Sequence, residues 1–151
     1  MSKGKILVVD DELFIRDLLF DFFKANGYEV ILGEDGGRAL DLIETESFDV
    51  ALVDLKMPGV DGIEVARRIH QIDPEVPIIL MTGYPSFESA VNALRQGVYD
   101  YVIKPFKIPY LKAIVERAIN EHKLQRQNAQ LFDKLRKTEE QLERLKKERY
   151  V

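Results

Sequence analysis

The stretch Ile6-Leu7-Val8-Val9-Asp10-Asp11 contains the pattern that decides the fold, a short continuous apolar run that ends in acidic residues. Four similar runs follow along the chain: Val30-Ile31-Leu32, Val50-Ala51-Leu52-Val53, Ile78-Ile79-Leu80-Met81 and Tyr101-Val102-Ile103. Most of these runs are continuous rather than alternating, which is typical of parallel strands buried on both faces of a sheet. The sequence therefore predicts five parallel strands.

The segments between the runs have the spacing of amphipathic helices. Residues 13–25 place apolar side chains on one face, and Asn26-Gly27 ends that helix. Residues 36–45, 61–72 and 86–96 show the same spacing, with Gly97 as the stop of the last. Five repeats of a strand followed by a helix predict a doubly wound α/β domain.

The fifth helix is predicted to begin near Ile108 and to continue to the last residue. After Pro109 the chain contains neither Gly nor Pro, and ~40 helical residues would span roughly 60 Å. Its first part can pack on the sheet through Leu111, Ile114 and Val115.

Beyond Asn120 this helix has a heptad pattern. The positions at alternating steps of four and three are Leu124, Asn128, Leu131, Leu135, Thr138, Leu142, Leu145 and Arg149. With Asn128 at position a, Lys134 at g would face Glu139 at e of a second chain, which favours a parallel homodimer with a two-stranded register. A long surface helix or a disordered tail stays open as the alternative.

Composition and charge exclude several classes of protein. The chain has 151 residues, 46% of them hydrophobic, and contains no cysteine, so disulfides and thiolate metal sites are excluded. Residues 1–110 carry 11 basic and 19 acidic side chains, a net charge of 11 − 19 = −8. Residues 111–151 carry 11 and 7, a net charge of 11 − 7 = +4, but their basic residues are interleaved with Glu. Because there is also no signal peptide or membrane span, we expect a cytoplasmic protein that binds neither membranes nor, through this segment, nucleic acid.

Five polar side chains follow the predicted strands at their carboxyl ends, where open α/β sheets bind ligands. They are Asp10 and Asp11 after strand 1, Asp54 after strand 3, Thr82 after strand 4 and Lys104 after strand 5. Each has an ordinary alternative when taken alone. Asp11 could cap a helix, Asp54 and Thr82 could be turn residues, and Lys104 could be a surface lysine. Their occurrence together at one edge of the sheet indicates a site.

The chemistry of these groups is that of phosphoryl transfer. Clustered carboxylates need a cation, and hard oxygen ligands suit Mg²⁺. A carboxylate next to Mg²⁺ could attack a phosphoryl group, while Lys104 and the Thr82 hydroxyl bind its oxygens. Asp54 is the expected nucleophile because it stands apart from the Asp10-Asp11 pair, and Gly83 would keep the mouth of the pocket open.

The motifs LVVDDE, LVDLKMPGVDG, ILMTGY and YDYVIKPF, in this order over about residues 4–120, resemble the receiver domain of two-component response regulators. The resemblance implies a flavodoxin-like (βα)5 sheet of strand order 2-1-3-4-5. It divides the chain into a receiver domain over residues 1–120 and a coiled-coil helix over residues 121–151.

The resemblance also implies roles for individual residues. Asp54 would accept a phosphoryl group from a histidine kinase. Asp10 and Asp11 would form the acidic metal pair, with Asp11, Asp54 and the backbone carbonyl of Lys56 as direct Mg²⁺ ligands. Thr82 and Tyr101 would form the switch pair, although Tyr101 could instead be a half-buried strand aromatic. The Lys104–Pro105 peptide bond would be cis.

Two other functions are alternatives to a phosphorylated switch that is not a turnover enzyme. One is an interaction module that dimerises without phosphorylation, against which the intact set of five site residues argues. The other is a phosphohydrolase of the haloacid-dehalogenase type, which needs D-x-D-x-[TV], whereas strand 1 here continues as Asp10-Asp11-Glu12-Leu13-Phe14. An output domain is expected either beyond residue 151 or on a partner, so gene regulation, second-messenger synthesis and a hybrid kinase stay open.

Overall fold

A single parallel sheet of five strands forms the centre of the computed structural model, which describes residues 1–149. The strands are β1 (Lys5–Val9), β2 (Glu29–Gly33), β3 (Val50–Asp54), β4 (Ile78–Thr82) and β5 (Asp100–Ile103). Their spatial order is β2-β1-β3-β4-β5, and every neighbouring pair is parallel. The predicted doubly wound sheet and its strand order are confirmed.

Five helices connect and follow the strands. They are α1 (Leu13–Ala25), α2 (Gly36–Thr45), α3 (Gly62–Ile72), α4 (Phe87–Arg95) and α5 (Ile108–Arg149). The third and fourth helices were predicted to begin at residues 61 and 86, but each begins one residue later. Asp61 and Ser86 have extended backbones and cap these helices with their side chains. Asp11 does not cap α1; Glu12 occupies that position and makes no capping bond with its side chain.

Each face of the sheet is covered by its own group of helices. Alternate strand residues such as Leu7 and Ala51 pack under α2, α3 and α4, whereas their neighbours Ile6 and Val50 pack under α1 and α5. All five residues of β3 and of β4 are buried. Burial on both faces explains why the apolar runs are continuous.

Helix α5 packs on the sheet only in its first part. Its buried residues end at His122, and the next contacts with the body are polar: Lys123 Nζ donates to the Lys3 carbonyl oxygen at 2.7 Å, and Arg126 lies 4.0 Å from the Asp73 carboxylate. Five leucines farther along, namely Leu124, Leu131, Leu135, Leu142 and Leu145, are 54–60% exposed. The predicted long helix is confirmed; its last two positions, Tyr150 and Val151, lie outside the described residues. None of the helices in residues 1–149 is long and apolar enough to cross a membrane.

His122 is buried without a hydrogen-bond partner for either ring nitrogen within residues 1–149. It lines a cavity of about 180 Å³ together with His70, the only other histidine of the sequence. Burial lowers the pKa of His122, and the nearby Arg126 lowers it further against the opposing effect of acidic groups such as Asp73. The folded state therefore favours the neutral imidazole.

Replacement of His122 by Leu is expected to stabilise the protein by about 1–2 kcal/mol at neutral pH, since it removes buried polar atoms that lack partners. The gain should grow as the pH falls through about 6.5, where an unfolded histidine takes up a proton that the folded state resists. Urea unfolding of both proteins between pH 5 and 8 would measure this. An equal pH dependence of the two free energies of unfolding would contradict the prediction.

Candidate metal and phosphoryl-transfer site

Three carboxylates meet at the carboxyl edge of the sheet. Asp10 follows β1, Asp11 is its neighbour, and Asp54 is the last residue of β3. One oxygen from each lies within 4.8 Å of the other two. Asp10 and Asp54 are almost completely buried, whereas Asp11 is exposed. The structure thus brings together the three acids that the sequence places at the ends of two strands.

Asp10 is held in place by hydrogen bonds to its backbone and to one of its carboxylate oxygens. Its amide donates to the Gly33 carbonyl oxygen at 3.1 Å, and its Oδ1 accepts from the Glu12 amide at 2.9 Å. The Arg16 guanidinium donates to its carbonyl oxygen at 2.8 Å. These contacts leave Oδ2 for the interior of the site. No role was predicted for Arg16, because nothing in the local sequence distinguishes it from another helical arginine.

Asp54 is positioned by the close approach of α3. The amide of Leu55 donates to the Met81 carbonyl oxygen at 2.7 Å, and the amide of Gly62 donates to the Leu55 carbonyl oxygen at 2.9 Å. A Cβ at Gly62 would overlap the backbone carbonyl oxygen of Asp54 and lie 2.7 Å from the Leu55 Cα. Only glycine lets α3 begin this close to the site. Gly62 lies within LVDLKMPGVDG and was not predicted to have a role, although a glycine at a helix start is a usable signal.

Substitution of Gly62 by Ala is expected to lower the free energy of unfolding by about 1–3 kcal/mol or more, because backbone must move to admit the methyl group. Gly83→Ala is the matched control, since a Cβ there meets nothing within 4 Å and no positive φ is involved. Urea unfolding of both variants and the parent would measure the difference. Equal stability of the two variants would contradict this prediction, because it would show that the backbone around Gly62 moves to admit the methyl group at little cost.

Lys104 reaches into the acidic cluster from the end of β5. Its Nζ donates to Asp10 Oδ2 at 2.7 Å and lies 3.5 Å from Asp54 Oδ2. Its side chain is only 11% exposed, so the alternative of a surface lysine does not apply. Burial by itself would lower the pKa of Lys104, but the hydrogen bond to Asp10 and the attraction of Asp10, Asp54 and Glu12 raise it. The Lys104–Pro105 peptide bond is cis, as the resemblance implies.

One lysine does not balance three carboxylates. Burial and the negative charge of Asp10 raise the pKa of Asp54 to about 7, with Lys104 opposing them and Asp11 contributing a smaller increase. Carboxylate oxygens within 4.8 Å of one another form the donor set that suits a hard divalent cation. The electrostatics and the ligand chemistry of the cluster therefore fit an ion such as Mg²⁺.

Thr82 and Tyr101 are each engaged in a separate hydrogen bond. Thr82 is fully buried at the end of β4, and its Oγ1 accepts from the Tyr84 amide at 3.0 Å. It is therefore a turn residue and also a residue of the strand edge that carries the site. The Tyr101 hydroxyl lies 2.6 Å from Ser89 Oγ on α4. No role was predicted for Ser89, and only this contact between α4 and β5 reveals one.

Lys56 and Tyr84 link two loops beside the site. Lys56 follows β3 by two positions and Tyr84 follows β4 by two positions. The Lys56 ammonium lies 5.3 Å from the centroid of the Tyr84 ring, a distance suitable for a cation–π interaction. Both residues are exposed. This contact joins the loops that follow Asp54 and Thr82.

Comparison with known proteins gives a consistent result. Residues 6–116 match the response regulator receiver domain family. The regulatory protein AtoC of Escherichia coli K12 is 42% identical over 116 residues, which cover 77% of this chain and 25% of AtoC. The DNA-binding transcriptional regulator NtrC of the same strain is 38% identical over 133 residues, covering 87% of this chain and 28% of NtrC. The chain thus spans about a quarter of the length of these relatives.

Solved structures show the same similarity. A CheY-like response regulator receiver domain protein from Methanospirillum hungatei JF-1 is 33% identical with a TM-score of 0.79, covering 82% of this chain and 99% of that one. NtrX from Brucella abortus, solved in complex with ADP, is 35% identical with a TM-score of 0.79, covering 87% of this chain and 30% of NtrX. On the family match and these relatives, this chain belongs to the response regulator receiver domain family of two-component systems.

Proposed function

We propose that Asp54 accepts a phosphoryl group from the phosphohistidine of a histidine kinase, with Mg²⁺ bound by the acidic cluster. A carboxylate oxygen of Asp54 forms a bond to phosphorus while the bond from phosphorus to the histidine nitrogen breaks, and that nitrogen keeps the electron pair. The observation that carries the proposal is the convergence of Asp10, Asp11 and Asp54 within 4.8 Å, with Lys104 against two of them. The protein turns over no external substrate.

The residues that would hold the metal are Asp11, Asp54 and the backbone carbonyl of Lys56, with Asp10 completing the acidic pair. When bound, Mg²⁺ supplies positive charge beside the attacking carboxylate and the phosphoryl oxygens. The neutralisation matters because Asp54 is buried next to Asp10, and both carry charge during the attack.

Lys104 and Thr82 provide the remaining stabilisation of the phosphoryl group. Lys104 Nζ lies 2.7 Å from Asp10 and 3.5 Å from Asp54. A small movement of this ammonium would let it pair with an oxygen of the phosphoryl group on Asp54. Thr82 Oγ1 accepts from the Tyr84 amide, which leaves its own proton available for donation to another oxygen. Both contacts are charge-assisted once the phosphoryl group is present.

The output of the switch is proposed to pass through α5. Phosphorylation adds a charge of about −1.5 to −2, to which Thr82 at the end of β4, Tyr101 within β5 and Pro105 after β5 respond. The exposed leucine stripe of α5 (Leu124, Leu131, Leu135, Leu142 and Leu145) supports a parallel homodimer in which residues 121–151 form a coiled coil and residues 1–120 the receiver domain. The similarity to NtrC, a DNA-binding transcriptional regulator, supports control of gene expression as the final effect.

Incubation with acetyl phosphate and Mg²⁺, followed by intact-mass measurement, tests the phosphorylation. The mass should rise by one phosphoryl group, and a metal chelator should prevent the increase. A protein that dimerises but never gains this mass would instead be a non-phosphorylated interaction module, the second function that the exposed leucine stripe allows.

The link between phosphorylation and the dimer is tested by crosslinking along Leu131–Leu145 with and without beryllofluoride, which mimics the phosphoryl group. Phosphorylation is expected to change which cysteine-substituted positions crosslink across the dimer. The reason is that α5 is the next element after β5, the strand that carries Tyr101. Identical crosslinks and identical sedimentation in both states would contradict this coupling.

A further inference from the structure

A hydrogen bond joins β5, the strand that carries the proposed switch residue Tyr101, to helix α4. The Tyr101 hydroxyl on β5 and the Ser89 hydroxyl on α4 are 2.6 Å apart. Tyr101 is half-buried and packs against the core on the α2–α3–α4 side of the sheet. Because residue 101 belongs to the proposed switch and residue 89 to the first turn of α4, this bond couples the position of the ring to the start of the helix.

Ser89 also closes the N-terminal cap of α4. The Ser86 side chain accepts from the Ser89 amide at 3.0 Å, and the Ser86 amide donates back to Ser89 Oγ at 3.2 Å. Ser86 Oγ and the Ser86 carbonyl oxygen lie 3.0 and 3.1 Å from the same Ser89 oxygen. With one proton and two lone pairs, the Ser89 hydroxyl can satisfy three of these four neighbours at a time, so the cap and Tyr101 share it.

Helix α4 is held against the rest of the domain by little apolar packing. Only Ala93 of its nine residues is buried, while Phe87 and Leu94 are 86% and 75% exposed. At its far end the His70 ring lies 3.1 Å from the Gln96 carbonyl oxygen. With so little apolar packing, the polar contacts at the two ends contribute a large share of what fixes the helix.

We propose that Ser89 is a positioning residue that acts as a latch, holding Tyr101 in the resting arrangement until Asp54 is phosphorylated. The proposal rests on the proposed function of Asp54. At rest both members of the switch pair have partners outside the site, Thr82 with the Tyr84 amide and Tyr101 with Ser89. Rearrangement of the switch breaks the second bond, and the start of α4 loses a partner at the same moment.

Removal of the latch should make activation easier. Loss of one hydrogen bond that exists only at rest should tighten the binding of beryllofluoride with Mg²⁺ by roughly 3–10-fold. Ser89→Ala is the test variant, and Ser89→Thr, which restores a hydroxyl, should return the affinity towards that of the parent. Ser86→Ala is the control, because it removes the side-chain cap of α4 but leaves both hydroxyls of the latch. It should not tighten binding.

Two measurements decide the proposal. First, urea unfolding of Ser89→Ala, Tyr101→Phe and the double variant should give a coupling of roughly 2–10-fold in the unfolding constant. Second, isothermal titration calorimetry should show the tighter binding of beryllofluoride by Ser89→Ala. No coupling, unchanged affinity of Ser89→Ala, or equal tightening by Ser86→Ala would each overturn the latch.

Failure of the underlying function gives a different result. If the parent binds no beryllofluoride while the coupling between Ser89 and Tyr101 is measured, the bond is real, but the phosphoryl site proposed at Asp54 is wrong and a latch for it is overturned as well. If the parent binds beryllofluoride and the coupling is zero, only the latch is wrong.

Discussion

Asp54→Asn is expected to abolish the gain of a phosphoryl group from acetyl phosphate and Mg²⁺. Asn has nearly the shape of Asp, so the site keeps its packing, but a neutral amide oxygen is a poor nucleophile and offers no charge to the metal. Intact mass after incubation should be that of the unreacted protein. Asp41→Asn, which makes the same chemical change on the exposed face of α2, should leave the reaction intact.

The same variant has a second readout that does not depend on phosphorylation. In the parent, Mg²⁺ at a hundredfold excess over its Kd should stabilise the fold by about 2.7 kcal/mol. In Asp54→Asn, a neutral amide replaces one of the three carboxylates that lie within 4.8 Å of one another. Mg²⁺ should therefore stabilise the variant less than the parent. Thermal unfolding with and without Mg²⁺ measures this. Undiminished labelling of Asp54→Asn would refute the assigned nucleophile, and equal stabilisation by Mg²⁺ would refute the assigned metal ligand.

The second large effect is expected from charge in the leucine stripe of α5. Leu135 and Leu142 occupy two a positions of the heptad, and both are more than half exposed in the single chain. Replacing both by Lys should weaken the homodimer at least ~1,000-fold, because each loses a buried leucine contact and brings like charges together. Sedimentation equilibrium should then detect only monomer at concentrations where the parent is dimeric.

The control for this double variant adds the same charge elsewhere on the helix. Ala129→Lys with Gln130→Lys places two lysines at positions b and c, which face away from a parallel partner. These substitutions should leave the dimer intact. A parent that sediments as a monomer, or a Leu135→Lys/Leu142→Lys protein that stays dimeric, would rule out the coiled coil and leave a long surface helix.

Local patterns in the sequence were sufficient for the secondary structure and the fold class. Continuous apolar runs predicted strands that are buried on both faces, and β3 and β4 are buried throughout. The observed starts of α3 and α4 lie one residue after the predicted starts, because Asp61 and Ser86 are capping residues with extended backbones. The strand order came from the resemblance to receiver domains, since periodicity does not specify which strands are neighbours.

The sequence by itself determined which elements form and which polar residues stand at their ends, because helix and strand periodicity and capping are local properties. Only the tertiary structure decided the distances: Lys104 forms its shortest ion pair with Asp10, 94 positions away, and Ser89 lies against Tyr101. It also decided that His122 is buried while Leu124 is exposed. Such contacts depend on how sheet and helices pack in three dimensions, and no local pattern encodes them.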